Sequence, residues 1–238
     1  MTRVKLKNDY VKVVNDGKII GDCGGNQDFF KRSDIPFAAG QGCGMVAAID
    51  VCLYLNNTST ITLTDYILSA KTFIKRHKLS GLFLREIKRN NRTVFSIGII
   101  PAQICKELND CCRRIQLPYR FKWYGLHGHK NLYEKIKQQL ENDIPVIWSI
   151  YAPGKEKLAL YKYDDLKENY FKVGAVNNHY MTIVGLTESA TADAKLRMAE
   201  VSSWGKKYYI NFDEYLQFEG ASLINKYCSN IVYCKRSF

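Results

Sequence analysis

The stretch that most constrains this chain is Gly40-Gln41-Gly42-Cys43-Gly44 and the run behind it, Met45 to Leu55. Three glycines around one cysteine permit a tight turn and close backbone approach. The run that follows has almost no polar face, which predicts a helix buried on most sides. Asn56-Asn57 and a Thr/Ser-rich stretch end it. Cys43 then stands at the N-terminus of a core helix, where unpaired N–H groups and the positive end of the helix dipole favour an anion. Such a setting lowers a thiol pKa and makes a nucleophile. The alternative is that Cys43 is one more small apolar residue in a helix turn.

The apolar share of 46% in 238 residues is ample for a packed core. With no internal repeat and no low-complexity linker, residues 1–238 read as one domain of two lobes. No apolar stretch reaches the ~18 residues of a membrane span. The basic start Met1-Thr2-Arg3-Val4-Lys5-Leu6-Lys7 has no apolar core behind it, so no signal peptide is expected and the location reads as cytoplasmic. The eight cysteines then read as free thiols in a reducing compartment. The net charge of +12 suits an anionic partner or plain solubility. The densest basic run, Lys71 to Arg92, carries eight Lys/Arg and one Glu, and reads as a solvated face or an anion-binding surface. No glycine-rich phosphate loop or nucleic-acid motif accompanies it, so nucleic acid is not the expected partner.

Along the chain, Val4, Leu6, Val11 and Val13 with the turn Asp16-Gly17 predict a short hairpin or edge strand. Gly21 to Phe30 is irregular, and residues 31–39 read as a loop. Thr62 and Asp65 have capping-box spacing ahead of Leu63, Tyr66, Ile67, Ala70, Phe73 and Ile74 at helical period. Pro101 opens a further helix, and Leu132, Ile136 and Leu140 mark another. Tyr119–Tyr124 alternates as a strand, and Ile144–Tyr151 reads as a buried one. Ala152–Gly174 is polar and reads as a surface excursion. Strands are then expected at Asn178–Leu186, Leu196–Val201, Tyr208–Ile210 and Cys228–Cys234, with a short helix from Asp213. Helices first and an antiparallel sheet after them is the order of an α+β fold.

A cysteine nucleophile needs a base, and the chain has four histidines. His77 ends a basic helix, where nearby cations would keep it exposed. His127 and His129 lie in a glycine loop, and two such ligands are too few for a metal site. His179 alone begins an apolar strand, and a Cys followed far downstream by such a His is the order of cysteine hydrolases. Glu200-Val201-Ser202-Ser203-Trp204-Gly205 follows, before an aromatic strand.

Gly42-Cys43-Gly44 at a core helix, a strand His and Ser202-Ser203-Trp204-Gly205 together resemble the papain-like cysteine peptidases. The closer likeness is to their bacterial C39-like branch, whose His-x-x-x-Val-Gly strand is resembled by His179 to Gly185, with four residues rather than three between His179 and Val184. Gly24 to Phe30 resembles the segment that supplies the oxyanion-hole Gln of that branch. The likeness spans roughly residues 20–220 and rests on four short motifs. It implies a papain-like α+β fold, with a helical lobe around the Cys43 helix packed on an antiparallel sheet lobe. It also implies a peptide or amide hydrolase with Cys43 as nucleophile, His179 as base and no cofactor. Ser202 falls where the His-orienting Asn usually stands, and Met45 replaces the usual Pro. Position 37, where the Gln is expected, is Phe, so Gln27 or Gln41 takes the oxyanion role. The same pattern admits an acyltransferase, or a binding protein that kept the fold and lost turnover.

Overall fold

The structure, a computed structural model, describes residues 2–77, 85–89, 92–127, 129–190 and 195–236. The chain runs β1 (Thr2–Lys5), β2 (Lys12–Asn15), β3 (Lys18–Gly21), a 3-10 helix (Gln27–Arg32), α1 (Ala38–Gln41) and α2 (Cys43–Leu55). It continues through β4 (Thr60–Thr62), α3 (Leu63–His77), β5 (Arg85–Arg89), β6 (Arg92–Ile97), α4 (Pro101–Arg114), β7 (Tyr119–Trp123), α5 (Leu132–Glu141) and β8 (Val146–Ile150). The last third holds β9 (Leu158–Asp164), β10 (Asn169–Val176), β11 (His179–Ala190), β12 (Lys195–Ser203), β13 (Lys206–Asn211), α6 (Phe212–Gly220), α7 (Leu223–Cys228) and β14 (Ile231–Arg236).

This is a mixed α+β fold built on one large antiparallel sheet in the order β10-β9-β13-β12-β11-β8-β14-β7. Its centre is β11, long enough to take two partners along one edge. His179 to Ile183 pair with β8, and Gly185 to Glu188 pair with β1. Both faces of the sheet are covered. Trp148, Ile150, Met181 and Ile183 pack with Leu132, Ile136 and Leu140 of α5 and with Phe212 and Tyr215 of α6. Ile147, Val232 and Phe121 face the opposite way, into a cluster with α2, α3 and α4. That two-sided burial explains why β8 is apolar at nearly every position, since a strand covered on one face only would alternate.

Local signals behave as the chemistry requires. The Thr62 hydroxyl accepts from the Asp65 N–H at 3.1 Å and donates to the Asp65 carboxylate at 2.7 Å, closing the start of α3. Pro101 sits in the first turn of α4, where its missing N–H costs nothing. β2 and β3 form the hairpin through Asp16-Gly17.

Four expectations are corrected. Residues 31–39 are not wholly loop, because the 3-10 helix and α1 lie across them. The polar stretch 152–174 contains the β9–β10 hairpin, which extends the sheet. Its composition reads as surface because β10 is exposed along most of its length, while Leu158, Ala159 and Leu160 of β9 are buried. Cys228 ends α7 and the closing strand starts only at Ile231. His77 is buried, because Glu107 gathers it at 3.1 Å together with Arg76 and Arg114. Of the basic run at 71–92, residues 78–84 and 90–91 lie outside the described residues. Lys71 pairs with Asp34 at 2.8 Å. Among the described residues no helix is long and apolar enough to cross a membrane.

Beyond the short β8 contact, β14 has no neighbouring strand on that side among the described residues, and a side chain takes that place. The buried Gln139 amide donates to the Cys234 carbonyl and accepts from the Cys234 N–H, each at 3.1 Å. Gln139→Leu should therefore leave two buried backbone groups unpaired and cost roughly 2–4 kcal/mol. Urea denaturation checks this, and an unchanged midpoint would show that the two groups find other partners.

Candidate active site

Cys43 is held at its place by the junction between α1 and α2. The chain turns at Gly42, where a Cβ would lie 2.3 Å from the Ala38 carbonyl oxygen, so only glycine fits. The helix then runs buried from Gly44 to Val51. His179 reaches the same point from the sheet, as the first residue of β11 opposite Ile150. Cys43, His179, Gln27, Asp50, Ser202, Ser203 and Trp204 all line one cavity. It measures about 10 Å³, the room of a single water-sized group.

The imidazole of His179 is fixed on two sides. Its Nε2 is 2.7 Å from the Ser203 hydroxyl, and its face stacks on the Trp204 indole at 4.4 Å. Trp204 gets there through the tight β12–β13 turn, where it adopts a φ of 48°. The hydrogen bond leaves Nδ1 as the ring nitrogen not taken by Ser203.

The orienting serine is one position along from the expected one. Ser202 donates its hydroxyl to the Cys23 carbonyl at 2.7 Å, away from the imidazole. Successive residues of a strand point to opposite faces, so neighbouring serines on β12 cannot both face His179. Gln27 lines the cavity with its amide oxygen buried and unpartnered, and Asn26 caps the 3-10 helix that carries it. Gln41 does not line the cavity, and its side chain lies toward Gly98. His129 is engaged elsewhere, with Nε2 2.7 Å from the Lys226 carbonyl oxygen and Nδ1 3.2 Å from Glu219.

No family model matches this chain, and neither does any curated protein or solved structure compared with it.

The electrostatics of the cavity are those of a largely enclosed site, with Cys43 half-buried and His179 buried. Burial pushes the Cys43 thiol up, against the backbone N–H groups of Tyr180, Gly44 and Cys43 itself, which favour the thiolate. The helix N-terminus thus acts in the expected direction and is outweighed by desolvation. Burial pushes His179 down to about 4. The pair therefore rests as neutral thiol and neutral imidazole at neutral pH. The residue that sequence reasoning missed is Asp50, seven positions after Cys43 on α2. Burial raises its carboxyl to about 7, opposed by hydrogen bonds from the Gly25 N–H at 2.9 Å and the Tyr66 hydroxyl at 2.8 Å. The signal was a single acidic residue inside an otherwise apolar run.

These shifts act on stability with opposite signs. His179 is depressed on folding, so its contribution is complete above pH 6.5 and is lost as pH falls toward 4. Asp50 is raised, so its contribution is complete below pH 3.8 and is lost as pH rises through about 7. Between pH 4 and 6.5 the two slopes oppose each other. Asp50→Asn should lose up to roughly 3 kcal/mol more than wild type on acidification across that window. His179→Gln should lose less than wild type. Urea unfolding at pH 4.5, 5.5 and 6.5 reads both, and parallel profiles for all three proteins would contradict the assignments.

Proposed function

We propose that the protein is a thiol hydrolase of papain-like type, cleaving a peptide or amide bond through Cys43 and His179. The observation that carries this reading is the meeting of a helix-start cysteine with a histidine whose Nε2 is already engaged, in one cavity with Gln27, whose amide oxygen is buried without a partner. In a reducing compartment such as the cytoplasm the thiol stays available.

The resting pair is neutral, so proton transfer accompanies attack. Cys43 Sγ bonds to the substrate carbonyl carbon while its proton passes to His179 Nδ1. The carbonyl oxygen becomes an oxyanion, met by the Cys43 N–H and the Gln27 amide; a hole the size of one water suits one oxygen atom. The C–N bond then breaks, and the leaving amine takes the proton from Nδ1. Water adds to the thioester with His179 as base, and the carboxylic acid leaves as the thiol reforms. An amine in place of water would make the same site a transferase. Ser203 holds the imidazolium as a neutral partner, so it stabilises that cation less than a carboxylate would.

A second reading is favoured by one observation. A groove of about 820 Å³ runs between α4 and β7, lined by Lys106, Arg113, Arg120 and Lys122, with Asp110 its one carboxylate among the described residues and already paired to Arg113. A protein of this shape without turnover would hold an acidic peptide there.

Under the hydrolase reading, iodoacetamide at neutral pH modifies Cys43 ahead of Cys23, Cys105, Cys112 and Cys234. Burial pushes each of those four up to about 12. His179→Ala should slow that modification, and Ser203→Ala should cost about tenfold in amide turnover, the worth of one neutral hydrogen bond of ~1.4 kcal/mol. Amide turnover that survives Cys43→Ala would refute the reading. Under the second reading, a polyglutamate peptide binds with an affinity that falls with salt and is lost in Lys106→Glu/Lys122→Glu, while Cys43→Ala binds as wild type. Salt-independent binding, or none, removes it.

A further inference from the structure

The segment that delivers Gln27 to the cavity is tied down residue by residue. The Asp22 and Cys23 N–H groups donate to the Gly205 carbonyl at 3.0 and 3.3 Å, and the Gly24 N–H donates to the Val11 carbonyl at 2.6 Å. The Cys23 carbonyl accepts from the Ser202 hydroxyl at 2.7 Å. The last tie before Gln27 is the Gly25 N–H, and its acceptor is Asp50 Oδ2 at 2.9 Å. The other oxygen of Asp50 accepts from Tyr66 on α3 at 2.8 Å, which fixes the carboxyl plane. Asp50 and Ser202 close on the strap from two sides. A Cβ at Gly24 would lie 2.5 Å from Asp50 Oδ2 and 2.4 Å from Ser202 Oγ.

We infer that Asp50 and Ser202 are positioning residues that latch the Cys23–Gly25 strap and so hold the Gln27 amide against the oxyanion that forms on Cys43. This rests on the thiol-hydrolase reading above. Two features single out Asp50 from an ordinary core acid. It stands on the helix that Cys43 begins, so the nucleophile and the anchor of the oxyanion donor share one rigid element. It also spends both oxygens, one on the strap and one on α3, and an Asn could keep only one of these bonds as acceptor. Ser202, which lies one residue from the imidazole's partner Ser203, ties the same strap to β12, the neighbour of the strand that carries His179. Nucleophile, base and oxyanion donor are thereby referenced to one another through Asp50, Ser202 and Ser203.

Two reagents separate this role from a structural one. Iodoacetamide forms no oxyanion and reports the thiol and His179 alone. p-Nitrophenyl acetate acylates Cys43 through an oxyanion, with Cys43→Ala as background. Asp50→Asn and Ser202→Ala should each slow acylation by roughly ten- to a hundredfold, less than or equal to the loss of an oxyanion donor. Alkylation should stay within about twofold. Gln27→Ala should lose as much, and Gln27→Ala/Asp50→Asn no more than Gln27→Ala, because the anchor has nothing left to position. The ratio of acylation to alkylation should also rise with pH through about 7 in wild type and stay flat in Asp50→Asn. The titratable groups facing Asp50 are Tyr10, Tyr66 and Cys23, which burial keeps neutral there, and Cys43 and His179 across the cavity, whose titration enters both reagents alike. If Asp50→Asn does not fold, Ser202→Ala runs the same cycle with Gln27→Ala. Losses that multiply with Gln27→Ala, or that strike both reagents alike, overturn the inference and leave the hydrolase standing. A wild type that is alkylated at Cys43 yet never acylated overturns the hydrolase reading, and this inference with it.

Discussion

The structure depends on enclosing α2. A helix that is apolar on every side has no stable place on a surface, so it must be covered by sheet on one side and by other helices around the rest. The faces of β8 and β11 supply the first cover, and α3 and α4 supply the second. Once α2 is fixed there, its N-terminus lies at the start of β11, where Gly44 packs against the Tyr180 ring and the Tyr180 N–H meets the Cys43 thiol. Cys43 and His179 are brought together by packing rather than by any contact of their own.

The same enclosure sets the chemistry. A cysteine at a helix start in water would be acidified by the amide dipoles. Here those amides face the thiol and still lose, since burial disfavours the thiolate more than they favour it. His179 is driven the other way by the same cause. A site assembled this way stores no ion pair at rest. On the hydrolase reading we propose, its charges are created during attack, and every group that meets them has to be in place beforehand.

Much of this was legible in the sequence, for local reasons. Thr62 and Asp65, Pro101, the turn Asp16-Gly17 and the two-sided apolar run of β8 each carry their own cause, and each element formed where that cause puts it. The strand β10 and the helix α7 were illegible because they are mostly exposed, so periodicity has little to act on. Ser202 and Ser203 differ in nothing but register. The residue that meets His179 is decided by the pairing of Thr182 with Ser202 across β11 and β12, a long-range fact that no local window holds. His77 was misjudged for a similar reason. Its burial follows from Glu107, thirty residues away on another helix.

The serine at 203 fits the enclosure of the site better than a carboxylate would. A carboxylate beside His179 would join Cys43, His179 and Asp50 as a further ionisable group in a cavity with room for one water, and its own burial cost would have to be met by further donors. The described structure spends its donors elsewhere: the Gly25 N–H and the Tyr66 hydroxyl on Asp50, and the Ser202 hydroxyl on Cys23. A neutral hydroxyl asks for none of them. What it gives up in charge stabilisation is partly made good by rigidity, since Trp204 stacks on the ring and closes it from solvent, where a hydrogen bond is stronger. Among the described residues the one carboxyl lining the cavity is Asp50, and its oxygens are taken by the strap at Gly25 and by Tyr66, so its burial is met by donors that the imidazole does not need.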